Sequence, residues 1–197
     1  MHIIIPALLI VFSIFTASCT ETVTNTVIER DTVTITIHDT VSIPNIIDDT
    51  LTTVILLRHA EKDSQGADPI LNADGQLRAQ ELTRILSNVT VSNIYTTPFN
   101  RTRQTITQLA ESKGLTAIEY DANISAAQLA NKVKAENKGK TAVVVGHSNT
   151  IPELLKSFSN NSFVVQIAES QYDNLFIASL HADKPKIVHL KYGKVTP

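Results

Sequence analysis

The chain has 197 residues, enough for one domain with a real core and additional segments. Hydrophobic residues make up 43% and charged residues 18%, which excludes a fully disordered chain, and a single cysteine excludes an intrachain disulfide framework or a cysteine-based zinc cluster. The formal net charge of −2 carries no signature of nucleic-acid binding, but it hides an asymmetry: residues 20–50 hold one base and six acids, leaving 16 of the 17 Lys and Arg and 13 of the 19 Asp and Glu to residues 51–197, a mildly cationic balance that suits an anionic ligand.

Residues 3–15 (IIIPALLIVFSIF) form an apolar run too short for an ordinary membrane-spanning helix and fitting for a signal-peptide core. The run leads into Thr16-Ala17-Ser18-Cys19. Small residues directly before a lone cysteine resemble a bacterial lipobox, with Thr16 where Leu is usual and only His2 where Lys or Arg is usual. That resemblance implies a signal peptide over 1–18 and an acylated Cys19 that anchors the protein to a membrane of the bacterial cell envelope. In residues 20–42, Thr occupies only even positions and Val or Ile many odd ones, an alternation that favours extended backbone. Acidic and without an obvious partner strand, residues 19–50 read as a tether. The other reading is a strand added to a sheet edge.

From residue 51 onward, strand and helix patterns alternate. Residues 52–57 (TTVILL) read as a buried strand, and 74–86 as a helix with Leu77, Leu82, Ile85 and Leu86 at helical spacing. Residues 92–96 read as a strand. Residues 100–113 read as a helix stopped by Gly114. A strand over 116–120, a helix over 125–135 begun by a Ser cap, and a strand over 141–145 ended by Gly146 follow. A short helix over 151–158 and strands over 163–167, 175–180 and 186–191 complete the pattern. Such alternation predicts an α/β three-layer sandwich: a mixed, mostly parallel sheet with helices on both faces. Ligands of such sheets bind beyond the carboxyl ends of the strands.

The residues at those ends are Arg58-His59-Ala60-Glu61-Lys62, Thr97-Pro98-Phe99-Asn100-Arg101-Thr102-Arg103-Gln104-Thr105, and Gly146-His147-Ser148-Asn149-Thr150. Two histidines and at least two arginines would share one sheet edge, and such charges converge only if an anion offsets their repulsion. A phosphoryl group supplies that charge and several acceptor oxygens, which the planar fork of arginine matches. Helices starting after Pro98 and Ser148 would add N-terminal amides aimed the same way. A neutral histidine among these donors is a competent nucleophile toward phosphorus, and the surrounding cations both lower its pKa and stabilise the transferring group. This chemistry needs no metal or other cofactor, and Glu61, Asp63 and Asp68 stand in no metal-ligand spacing.

Leu57-Arg58-His59-Ala60-Glu61 resembles the Arg-His-Gly motif of the histidine phosphatase superfamily, the phosphoglycerate mutase-like fold. Thr97-Pro98-x-x-Arg101-x-x-Gln104-Thr105 and Gly146-His147 resemble its second and third motifs, in the same order, over about residues 51–180. The resemblance implies that His59 is phosphorylated in turnover and that Arg58, His59, Arg101 and His147 form the phosphate pocket, which would also take sulfate or vanadate. It further implies a histidine phosphatase-like domain over 51–197 that hydrolyses a phosphomonoester or a phosphohistidine, on a small molecule or a phosphoprotein. Ala60 stands where the motif has Gly. Only 45 residues separate Arg101 from His147, where mutases carry a longer lid insertion, so a mutase is disfavoured. Ser148 stands where the acid-phosphatase branch has Asp, which leaves the proton donor unassigned; Glu61 and Asp121 are the possible rim or acid residues. The alternative to a phosphatase is a non-catalytic phosphate-binding or protein-interaction module with the same fold.

Overall fold

A computed structural model describes residues 51–181 and 184–197, together with the backbone of two short strands, β1 (Asn25–Thr26) and β2 (Thr36–Ile37). The chain divides into two units, Met1–Asp48 and Asp49–Pro197. In the first, β1 and β2 pair antiparallel, Asn25 with Ile37 and Thr26 with Thr36, so the alternating segment finds a partner within itself. The apolar run 3–15 and Cys19 lie outside the described residues. No helix among the described residues is long and apolar enough to cross a membrane.

The second unit is built on a six-stranded sheet. Its members in chain order are β3 (Thr52–Arg58), β4 (Asn93–Thr96), β5 (Ile118–Glu119), β6 (Thr141–Gly146), β7 (Asn174–Leu180) and β8 (Lys186–Lys191). Across the sheet they run β5-β4-β6-β3-β7-β8. The pairs β4–β5, β4–β6 and β3–β6 are parallel, and β3–β7 and β7–β8 are antiparallel. The mixed, mostly parallel sheet of the sequence reading is therefore present. Among the described residues the helices are α1 (Ala73–Ile85), α2 (Asn100–Lys113), α3 (Ala126–Glu136) and α4 (Thr150–Phe158).

Period-two alternation along the strands divides the core into two layers. Val54, Leu56, Val144 and Phe176 face α3 and α4, where they meet Leu129, Val133, Ile151, Leu154 and Phe158. Ile55, Leu57, Val143 and Val145 face α1 and α2, where they meet Leu82, Leu86, Ile106 and Leu109. Each fully buried Leu, Ile, Val or Phe contributes on the order of 1.5–3 kcal/mol. The caps follow their chemistry. Asn72 accepts the Gly75 N–H at 2.9 Å, Ser125 and Gln128 form a capping box on α3, and Gly114 ends α2 at φ 63°. Gly75 is required by close approach, since a Cβ there would lie 2.0 Å from the Glu61 carbonyl oxygen.

Three expectations are corrected. Residues 163–167 form no strand: their alternation is used to pack Phe163, Val165 and Ile167 on the α3/α4 layer while Val164 is exposed. The strand over 116–120 shrinks to Ile118–Glu119 at the sheet edge. Leu77 is exposed, because the face α1 buries is Gly75, Arg78, Ala79 and Leu82.

Candidate active site

Strand register assembles the site. Arg58 pairs with Gly146 across β3 and β6, so His59 and His147 leave adjacent strands side by side, and the His59 N–H donates to the Gly146 carbonyl at 2.9 Å. Tyr95 pairs with Val144, which sets Thr97 and the start of α2 at the same edge. The two histidine rings lie 5.5 Å apart between centroids, and an Arg101 Nη2 lies 3.5 Å from His147 Nδ1. Gly146 permits this convergence: a Cβ there would meet Thr150 Oγ1 at 2.7 Å and the Tyr120 hydroxyl at 3.1 Å.

His59 is buried, and its Nδ1 lies 2.8 Å from the Ala60 carbonyl. A carbonyl only accepts, so Nδ1 carries the proton and Nε2 keeps its lone pair. Burial, then the nearby Arg58, His147 and Arg101, overcome the opposing bond to Ala60 and lower the His59 pKa to about 3. The His147 pKa falls to about 4 for the same reason, burial first and Arg101 and Arg58 next. Both rings are therefore neutral near pH 7. Arginine only donates, so His147 Nδ1 is an acceptor and Nε2–H donates to Thr97 Oγ1 at 3.1 Å. Thr97 is 2.8 Å from Thr102 Oγ1, which donates to the carbonyls of Thr97 and Phe99. This buried hydroxyl chain fixes the His147 ring.

Arg101 lies over the Phe99 ring at 4.4 Å and 3.6 Å from Asp68. Asp68 also accepts the Asn100 N–H at 3.0 Å and so caps α2 from a distant loop. The first amide of α2, expected to face the anion, is thus already taken. Thr105 ties the helix to the first motif by accepting the Ala60 N–H at 2.9 Å.

Arg58 is 1% exposed and is held by the 168–171 loop. Its Nη1 donates to the carbonyls of Ala168, Glu169 and Gln171 at 2.9, 2.9 and 3.2 Å, and its Nη2 to Glu169 Oε2 at 2.5 Å. Its guanidinium stacks on Tyr172 at 4.3 Å, and that ring lies 5.9 Å from His59. Glu169 also accepts from the Ser148 hydroxyl. Neither Glu169 nor Tyr172 was singled out as a site residue from sequence, because neither belongs to a strand-end motif.

The two candidate acids are placed elsewhere. Glu61 is buried against Arg78, with contacts of 2.7 and 2.9 Å, not at a pocket rim. Asp121 is exposed and accepts the Asn123 N–H, and among the described residues no hydrogen bond or ion pair ties it to the His59 cluster. Arg103 points outward to Glu119. Beside the site, Tyr120, Ile124, Leu129, Asn149, Ile151 and Leu154 help line a cavity of about 210 Å³.

Residues 54–125 match the family model of the histidine phosphatase superfamily (branch 1). The matched segment holds Arg58, His59 and Arg101 and stops before His147. No curated protein sequence matches the chain. Among solved structures, it is similar to the protein histidine phosphatase SixA complexed with tungstate, at 14% identity over 71% of this chain and 96% of that one, with a TM-score of 0.58. YhfR of Bacillus stearothermophilus aligns at 14% identity over 69% and 95%, with a TM-score of 0.59. A phosphoserine phosphatase variant of Entamoeba histolytica, in complex with phosphoserine, aligns at 17% identity over 72% and 96%, with a TM-score of 0.54. At these identities the likeness carries the fold alone; in this chain His59 and His147 directly follow β3 and β6, and Arg101 stands in the first turn of α2.

Proposed function

We propose that residues 51–197 form a metal-independent phosphatase that hydrolyses a phosphomonoester or a phosphohistidine through phosphohistidine on His59. The observation that carries this reading is the His59 ring: neutral, pinned by Nδ1–H to Ala60, with the Nε2 lone pair uncommitted beside Arg101 and His147. Nε2 attacks phosphorus, and the bond to the leaving oxygen or nitrogen breaks. The leaving group takes a proton, and water then attacks phospho-His59 to release inorganic phosphate. Arg101 and His147 stabilise the equatorial oxygens, and Arg58 backs them. Burial is the main cause of the low His147 pKa and Arg101 and Arg58 add to it; a dianion between Arg101 and His147 offsets the part due to the two cations and so favours a protonated, donating His147.

Arg101→Ala tests the clamp. It keeps the nucleophile but strips a charge-assisted contact, on the order of 2–4 kcal/mol of transition-state stabilisation. Turnover of an aryl phosphate is expected at roughly a hundredth to a thousandth of wild type. Activity above half of wild type would remove Arg101 from the pocket.

The same proposal places the enzyme in the bacterial cell envelope, with residues 1–18 removed, lipid on Cys19 and residues 20–50 as a tether. The sequence Thr16-Ala17-Ser18-Cys19 after an apolar run supports it. Cys19→Ser is expected to shift the protein from the membrane to the soluble envelope fraction. A variant that stays with the membrane would sink the anchor.

The alternative of a binding module without turnover draws on Ser148, since no carboxylate directly follows His147 to protonate a leaving group. It would bind phosphate and show no rate difference between wild type and His59→Ala.

A further inference from the structure

The 168–171 loop does more than support the first motif. Arg58 Nη1 is spent on three carbonyls of that loop, and Nε is buried without a partner. The group of Arg58 that bonds to an anion is Nη2, and the anion is Glu169. The other oxygen of this carboxylate accepts from Ser148, the residue after His147. Glu169 therefore bridges the ends of β3 and β6, beside the two histidines.

Resting on the phosphatase reading, we propose that Glu169 is an internal anion seated on Arg58, which an incoming phosphoryl dianion must displace. Burial of the two partners is unequal: the Arg58 side chain is 1% exposed and that of Glu169 is 79% exposed. Arg58 cannot leave its place, whereas Glu169 swings into water at little desolvation cost. The Ser148 hydroxyl, followed by Arg58 and Lys62, holds the Glu169 carboxyl below its ordinary range, so it is ionised at neutral pH and competes as a charged group. A dianion offers Arg58 more charge than the carboxylate it replaces and gains the Arg101 contact as well, so displacement proceeds.

The test is calorimetric binding of inorganic phosphate and vanadate to the wild type, Glu169→Gln, Ser148→Ala and Arg101→Ala, alongside KM and kcat for an aryl phosphate. Losing the internal competitor is expected to tighten phosphate binding about five-fold in Glu169→Gln, as for an ion pair with one exposed partner, and to lower KM with it. Ser148→Ala loosens Glu169 without touching Arg58 and is expected to tighten phosphate about two-fold. A merely structural glutamate predicts the opposite sign, because a slack loop would misplace Arg58. Weaker or unchanged phosphate binding in both variants overturns the gate while leaving the pocket reading standing. Phosphate binding that Arg101→Ala does not weaken, or no binding by any form, overturns the phosphate pocket and the gate together.

Discussion

Turnover in His59→Ala is expected to fall by roughly 10⁴-fold or more, while phosphate and vanadate still bind. A nucleophile and an electrostatic clamp fail differently. Removing the imidazole removes the covalent path, but Arg101 and His147 remain to hold a tetrahedral anion, so Kd should move little. In the wild type, rapid acid-free quenching with a labelled substrate should trap phosphate on His59 as an acid-labile, alkali-stable phosphoramidate. Label on a serine or an aspartate, or a variant within ten-fold of wild type, would end the assignment. The pH dependence follows from the same ring. Because the His59 pKa lies at about 3, kcat/KM should show no acid limb near 6.5 from this group. Stability behaves otherwise. Below the ordinary histidine pKa of 6.5 the unfolded chain binds protons that the folded chain, with His59 at about 3 and His147 at about 4, does not. Stability is therefore lost progressively as pH falls from 6.5 through those values, in the absence of phosphate.

Arg78→Met is expected to cost about 3–5 kcal/mol of unfolding free energy, the usual range for removing one partner of a buried ion pair. The Arg78 side chain is 1% exposed and reaches both carboxylate oxygens of Glu61. It also donates to the carbonyls of Tyr192 and Lys194, at 2.5 and 2.6 Å. Methionine fills much of the volume but leaves Glu61 charged and two carbonyls of the C-terminal segment without their donor. Glu61 is two residues from His59, so the loss should reach the first motif as well as the chain terminus. Urea unfolding of the 51–197 unit within the full chain measures it. The double variant Arg78→Met/Glu61→Gln should recover part of the loss, since it removes the stranded charge. A single-variant cost below about 1 kcal/mol would show that the pair is not holding the segment.

The sheet and its two layers were readable in the sequence because they rest on local periodicity. Val54 and Leu56 against Ile55 and Leu57 announce a strand buried on both faces, and Gly114 and Ser125 mark helix ends through backbone chemistry that neighbours alone decide. The gathering of His59, Arg101 and His147 was readable too, because the two histidines directly follow strands, Arg101 opens the helix after a third, and parallel strands bring their carboxyl ends to one edge. Residues 163–167 misled for the same reason: alternation reports a burial pattern, which here packs on helices and not in the sheet. What periodicity cannot carry is the choice of partner for a charged side chain. Glu169 and Arg58 are 111 residues apart, and Arg78 and the Tyr192 carbonyl are 114 apart. Nothing local distinguishes Glu169 from Glu119 or Glu153, or buried Arg78 from exposed Arg84. Only tertiary structure decided that Glu61 serves the core and not the pocket, and that Arg58 meets the pocket through Glu169. A buried charge takes whichever counter-charge the folded backbone leaves within about 3 Å, and that distance is set by the packing of the whole domain.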